Sequence, residues 1–173
     1  MKFPVTNVVV GLLVALGLLF PSAGFAESVA PNNRPTVTVP AAQMKILRAQ
    51  DYLLHLLDNI EQAEQRIWIA TYSITGPDFN RMNYVYDRLQ DRHDSGVDVR
   101  LLLPPELDRN KKVFQELIQE YTFDVRLYRG EGQFHGKMIV IDDEHVYNGS
   151  ANLTATAFDR EYETSIYIHN LTL

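Results

Sequence analysis

His135-Gly136-Lys137-Met138-Ile139-Val140-Ile141-Asp142, followed by Gly149-Ser150-Ala151-Asn152, has the form His-x-Lys-x4-Asp-x6-Gly-Ser-x-Asn. With six positions fixed at about one in twenty each, chance would produce it on the order of once per several hundred thousand chains of this length. Met138 to Ile141 is a continuous apolar, β-branched run, the pattern of a strand buried on both faces. If the strand extends back to His135, alternation puts the imidazole and the Lys137 ammonium on one face, where an anionic phosphate could bridge them. Gly136 between them leaves the opposite face uncrowded. Asp142-Asp143-Glu144 breaks the run as a turn, and His145-Val146-Tyr147-Asn148 returns as a hairpin partner. Gly149-Ser150-Ala151-Asn152 then brings a hydroxyl and an amide back towards His135 and Lys137. Phosphodiester cleavage needs these parts: a nucleophile, a proton donor for the leaving oxygen, and donors or positive charge around the non-bridging oxygens.

Upstream of the motif, strand and helix patterns alternate. Ala49–Gln65 is helical in period, with Leu53, Leu57 and Ile60 on one stripe and Leu54 beside it. Arg66–Ile74 reads as a central strand ended by Thr75-Gly76-Pro77. A helix over Pro77–His93 follows, with Met82, Val85 and Leu89 on one face. Ser95-Gly96 closes that helix. Val97–Leu103 is the next strand, Asn110–Tyr121 a helix with Val113, Phe114 and Leu117 inward, and Phe123–Tyr128 a strand. The motif strands come next, then Tyr162–His169, and Thr36–Val39 is a further short strand. The pattern predicts an α/β domain with a mixed, largely parallel sheet flanked by helices, the final hairpin adding antiparallel strands. There is no internal repeat and no low-complexity block.

The motif resembles that of the phospholipase D superfamily at every fixed position. The likeness reaches beyond it: the order helix, Arg66-Ile67-Trp68-Ile69-Ala70-Thr71-Tyr72-Ser73, helix, Ser95-Gly96-Val97-Asp98-Val99-Arg100, then the motif is similar to the small bacterial endonuclease-like members over roughly Leu47 to Ile168. The resemblance implies a metal-independent phosphodiesterase with no cofactor. His135 would attack phosphorus and form a phosphohistidine, or act as the general acid opposite a partner histidine. Lys137 and Asn152 would hold the phosphate oxygens, with Ser150 supporting the same pocket. Asp142 and Gly149 would be structural. A downstream carboxylate would bond the second nitrogen of His135 and set its tautomer; Glu163 is in the matching place, with Glu161 its rival at the same alternation. Members of the superfamily surround one site with two copies of the motif. This chain holds one, so the resemblance implies a homodimer with the active site at the interface.

Met1-Lys2, the apolar run Val8–Phe20 and Pro21-Ser22-Ala23-Gly24-Phe25-Ala26 form the n-region, h-region and small-residue cleavage site of an export signal. The h-region is shorter than the roughly 20 residues that span a bilayer. The expected organisation is a signal peptide over 1–26, a mobile mature N-terminus over 27–35 and one phospholipase D-like domain over 36–173. The mature protein would then lie in a bacterial periplasm or the medium. With no Cys, disulfides and thiolate metal sites are excluded. Without a Cys or an H-x3-H pair, none of His55, His93, His145 and His169 is expected to bind zinc.

The net charge is −6, and −7 once Lys2 leaves with the signal. This disfavours a tight non-specific nucleic-acid binder, yet it is compatible with a nuclease having a local basic cleft. Arg109, Lys111, Lys112, Arg126 and Arg129 are the basic residues nearest the motif, and an ordinary solvated face is the competing reading of them. Three functions are therefore weighed: an exported endonuclease on DNA or RNA, a phospholipase D or phosphatidyltransferase acting on lipid head groups, and a silent binding module. The complete motif argues against the third. Chain size and the single motif favour the first over the second.

Overall fold

The computed structural model describes residues 42–79, 81–159 and 163–170. The signal segment, the mature N-terminus, the strand expected over Thr36–Val39 and Glu161 lie outside the described residues. Seven strands and four helices occur among those described. In order they are β1 (Ala42–Arg48), α1 (Ala49–Gln62), β2 (Arg66–Thr71), α2 (Met82–Asp94), β3 (Asp98–Leu103), α3 (Asp108–Glu120), β4 (Asp124–Leu127), β5 (Lys137–Ile141), β6 (His145–Gly149), α4 (Ala155–Asp159) and β7 (Thr164–Asn170). No helix among the described residues is long and apolar enough to cross a membrane.

The strands form one mixed sheet of order β1-β7-β6-β5-β2-β3-β4. Only the β2–β3 and β3–β4 pairs are parallel; β1–β7, β7–β6, β6–β5 and β5–β2 are antiparallel. The mixed α/β architecture is as expected, but its parallel share is the smaller one. The reason lies in the connections. Parallel neighbours need a crossover of a dozen residues or more, usually a helix. α2 and α3 supply these between β2, β3 and β4. The link from β4 to β5 contains no helix, and β5 enters on the far side of β2 running the other way.

Alternation along the central strands sorts the core into two layers. Ile67, Ile69, Val99, Leu101, Ile139, Ile141, Tyr147 and Tyr167 pack in one cluster with buried residues of all four helices. Ala70, Leu102, Val140 and Val146 form a second cluster with Trp68, Met138 and Ile168. Both faces of β2, β3 and β5 are therefore buried, which explains their near-continuous apolar sequence. The buried stripe of α1 is Tyr52, Leu53, Leu56 and Ile60, while Leu54 is exposed, so the helix is rotated slightly from the periodicity-based expectation. Met82, Val85 and Leu89 of α2, and Val113 and Leu117 of α3, face inward as expected. Burying each such Leu, Ile or Val contributes roughly 1.5–3 kcal/mol.

The turn after β5 bolts this sheet together. Asp142 and Asp143 both adopt left-handed backbone (φ 52° and 64°), which Asp tolerates better than most residues. The Asp142 carboxylate accepts three backbone N–H bonds, from Glu64 (2.7 Å), Gln65 (2.8 Å) and Arg66 (2.9 Å). These donors are the last two residues of the link between α1 and β2 and the first residue of β2, and Asp142 N–H in turn donates to Arg66 O at 3.1 Å. The Asp of the motif thus fixes β5 against the start of β2. Asp142→Ala should cost about 2–3 kcal/mol in urea denaturation, since three charge-assisted bonds lose their acceptor. Asp142→Asn, which keeps one oxygen and tolerates the same backbone, should retain part of that stability. A loss below about 0.5 kcal/mol for the alanine variant would show the bolt to be dispensable.

Candidate active site

At the opposite end of β5, Lys137 pairs with Thr71, the last residue of β2. His135 lies two residues before the strand begins, in an extended approach segment. Its ring still shares a side with Lys137: the ammonium Nζ is 3.4 Å from His135 Nδ1 and donates to the His135 carbonyl at 3.0 Å. Tyr72, just past β2, closes the third side. Its ring lies 4.2 Å from the His135 ring, centroid to centroid, and 5.0 Å from Lys137 Nζ. The His135 side chain is exposed, whereas Lys137 is half-buried. Partial burial lowers the Lys137 pKa from its ordinary value, and the Glu163 carboxylate pushes it back up.

The Gly-Ser-x-Asn tail follows β6 and sits beside the same strand ends. Asn152 Oδ1 accepts the Ser73 N–H at 3.0 Å. With its oxygen so engaged, Asn152 can offer its amide N–H groups to an anion. Ser150 is held on β7: its N–H donates to Thr164 O at 3.1 Å, its Oγ accepts the Thr164 N–H at 3.1 Å, and its hydroxyl donates to the Glu163 carboxylate in a short contact. Gly149 is required by close approach, because a Cβ there would collide with the Thr164 carbonyl and the Ser165 Cα. His135, Lys137, Ser150, Asn152 and Glu163 are thus on strands and loops at one end of the sheet, and Asp142 is at the other.

Glu163 differs from expectation in its partner. Among the described residues, the His135 ring contacts Lys137 and Tyr72, and the Glu163 carboxylate engages Ser150 instead of His135. The cause is local. Glu163 directly precedes β7, whose register against Gly149 brings it to Ser150.

Two further residues organise the site. Thr71 Oγ1 donates to Ser73 O at 3.0 Å and accepts the Leu153 N–H at 3.1 Å, lacing β2 to the tail. Asn110 of α3 is fully buried, and its amide donates to Tyr72 O at 2.8 Å and to Pro104 O at 2.9 Å. Asn110 shares the inward stripe of Val113 and Leu117, three and seven residues on. A polar residue on an apolar helix face was the available signal for it.

Of the neighbouring basic residues, Lys111 pairs with Asp108 (3.1 Å), Lys112 with Glu116 (3.5 Å) and Arg126 with Asp124 (2.7 Å). These belong to a solvated face. Arg109 and Arg129 are exposed. They follow the C-terminal ends of β3 and β4, the sheet end that also carries Lys137.

The chain is 36% identical over 116 residues to cardiolipin synthase A of Pseudomonas syringae pv. syringae, an alignment covering 64% of this chain and 23% of that protein. It therefore spans less than a quarter of the length of that relative. Among solved structures, NucT from Helicobacter pylori superposes with a TM-score of 0.61 at 23% identity, covering 75% of this chain and 87% of that one. The phospholipase D family member Nuc from Salmonella typhimurium gives 0.60 at 21%, covering 76% and 86%. At these identities the two structures speak to the fold alone. Residues 56–173, from the middle of α1 through every site residue named above, match the family described as cardiolipin synthase, PLD-like domain, and the chain belongs to that family within the phospholipase D superfamily.

Proposed function

We propose that this protein is an exported, metal-independent phosphodiesterase that acts as a symmetric homodimer through a phosphohistidine intermediate. The observation that carries the reading is the exposed His135 ring with the Lys137 ammonium 3.4 Å away, flanked by an Asn152 amide whose oxygen is already occupied. A ring nitrogen of His135 attacks phosphorus. The P–N bond forms as the P–O bond to the leaving group breaks, and His135 of a second copy protonates the departing oxygen. That second histidine then takes a proton from water as the water cleaves the P–N bond, releasing a phosphomonoester and restoring His135. Lys137 and Asn152 carry the charge on the non-bridging oxygens in both steps. The exposed His135 suits a site completed by a second copy across a two-fold axis. The apolar run and cleavage-site residues before Glu27 support export.

The substrate best supported is nucleic acid. Arg109 and Arg129 stand exposed at the motif end of the sheet, where they can track a phosphate backbone. A second reading, transfer or hydrolysis at phospholipid head groups, is favoured by the likeness to cardiolipin synthase A. An assay of purified protein on single- and double-stranded DNA, RNA, phosphatidylcholine and cardiolipin, with EDTA present, separates the two. Turnover confined to lipid would overturn the nucleic-acid reading.

His135→Ala and Lys137→Ala should each lower kcat by at least ~10³-fold while the far-ultraviolet circular dichroism is retained. Wild type quenched on a phosphorus-labelled substrate should carry acid-labile, base-stable label on His135. Inversion at phosphorus with no trapped label would rule out the covalent route.

Glu163→Gln makes a signed prediction. Burial already lowers the Lys137 pKa, and the Glu163 charge is what opposes this. Removing that charge should let Lys137 lose its proton at a lower pH. The Lys137 ammonium titration, followed by NMR, should move to lower pH relative to wild type, and an unmoved or raised midpoint would contradict the coupling.

Sedimentation at assay concentration should give twice the chain mass. A fully active monomer would exclude the shared site.

A further inference from the structure

The hairpin that carries Lys137 at one end carries an unrelated cluster at the other. His145, the first residue of β6, and His169 of β7 are register partners. Their imidazoles stack with centroids 4.6 Å apart at 24°. Glu144, in the turn just before β6, places Oε2 4.0 Å from His169 Nε2. One donor atom from each of Glu144, His145 and His169 lies within 4.8 Å of the others.

We infer that Glu144, His145 and His169 form a binding site for a divalent transition ion of the zinc class, remote from the phosphodiesterase site and independent of that reading. Three lines of geometry support it. The donor set is two imidazoles and one carboxylate, which suits zinc, nickel or copper and not magnesium or calcium. The frame is rigid where it must be. The histidines face each other on one rung of the β6–β7 ladder, and Asn170 N–H donates to Glu144 O at 2.9 Å, tying the turn to β7. The His145 ring is oriented by an outer partner, since its Nδ1 is 2.7 Å from the Tyr167 hydroxyl, the kind of support a metal-binding imidazole receives.

Zinc bound tetrahedrally at about 2.0–2.1 Å brings its ligand atoms to about 3.3–3.4 Å from one another. The cluster must therefore contract modestly, and Glu144, at the half-exposed turn, is the member free to move. Three protein ligands leave a fourth position for water, so exchangeable binding is expected.

The test is calorimetric titration of ZnCl2 into the purified, chelator-stripped full chain, with MgCl2 as control. One zinc per chain is expected, with a higher thermal midpoint when zinc is bound and no heat from magnesium. Glu144→Gln and His169→Ala should each weaken zinc binding by about tenfold or more. His135→Ala, at the other end of the sheet, should leave binding unchanged. Glu144→Gln alters only the turn and stays informative if His169→Ala does not fold. Absence of zinc binding in wild type, or binding that Glu144→Gln leaves intact, would overturn the site.

Discussion

The antiparallel register of β5 on β2 is the constraint on which the molecule depends. It sets Ile67 opposite Ile141 at one end and Thr71 opposite Lys137 at the other. At the first end the Asp142 carboxylate gathers three N–H groups that enter β2. At the second, the chain leaving β2 supplies Tyr72 and Ser73 to the Lys137 side chain and the Asn152 amide. A slip of one residue would turn Lys137 into the opposite layer and leave Asp142 without its donors. The distance between motif Lys and motif Asp is therefore the length of the strand that measures it.

Chemistry and architecture divide cleanly along that strand. The apolar residues between Lys137 and Asp142 are buried on both faces and fix position through packing. The reactive groups stand at the edge, where His135 is exposed and Lys137 only half-buried. Tyr72 lies against both, so the ammonium rests on a ring face as well as beside an imidazole. Asn110 extends the support into the helical layer by anchoring the carbonyls of Tyr72 and Pro104.

Much of this was legible in the sequence, for identifiable reasons. The helices and strands from Arg66 to Leu127 follow clear periods of 3.6 and 2, and His135, Lys137, Ser150 and Asn152 stand out by the fixed spacing of the motif. β1 was missed because it is an edge strand whose apolar residues Met44 and Ile46 are exposed (68% and 74%) amid polar neighbours, so no buried face marks it. Its pairing with β7 is invisible to any local pattern. The short α4 gives too little period to detect. The sheet reads as largely parallel because alternating elements suggest parallel pairing, whereas four of its six strand pairs are antiparallel. Glu163 was placed at the right end of the sheet, but its bond to Ser150 depends on the register of β7 against β6, which spacing does not encode.

The β1–β7 ladder carries a kinetic consequence. It joins Ala42 to Asn170 and Arg48 to Thr164, segments well over a hundred positions apart in the chain. Closing so large a loop is entropically expensive, and only neighbouring strands already in place can repay it. The tight β5–β6 hairpin and the helix-linked β2–β3–β4 unit close far smaller loops, so loop-closure entropy favours their forming before β1 pairs with β7. On the same ground β1 is expected to be the last of these strands to join, and its opening alone would leave the strands bearing the reactive groups in place.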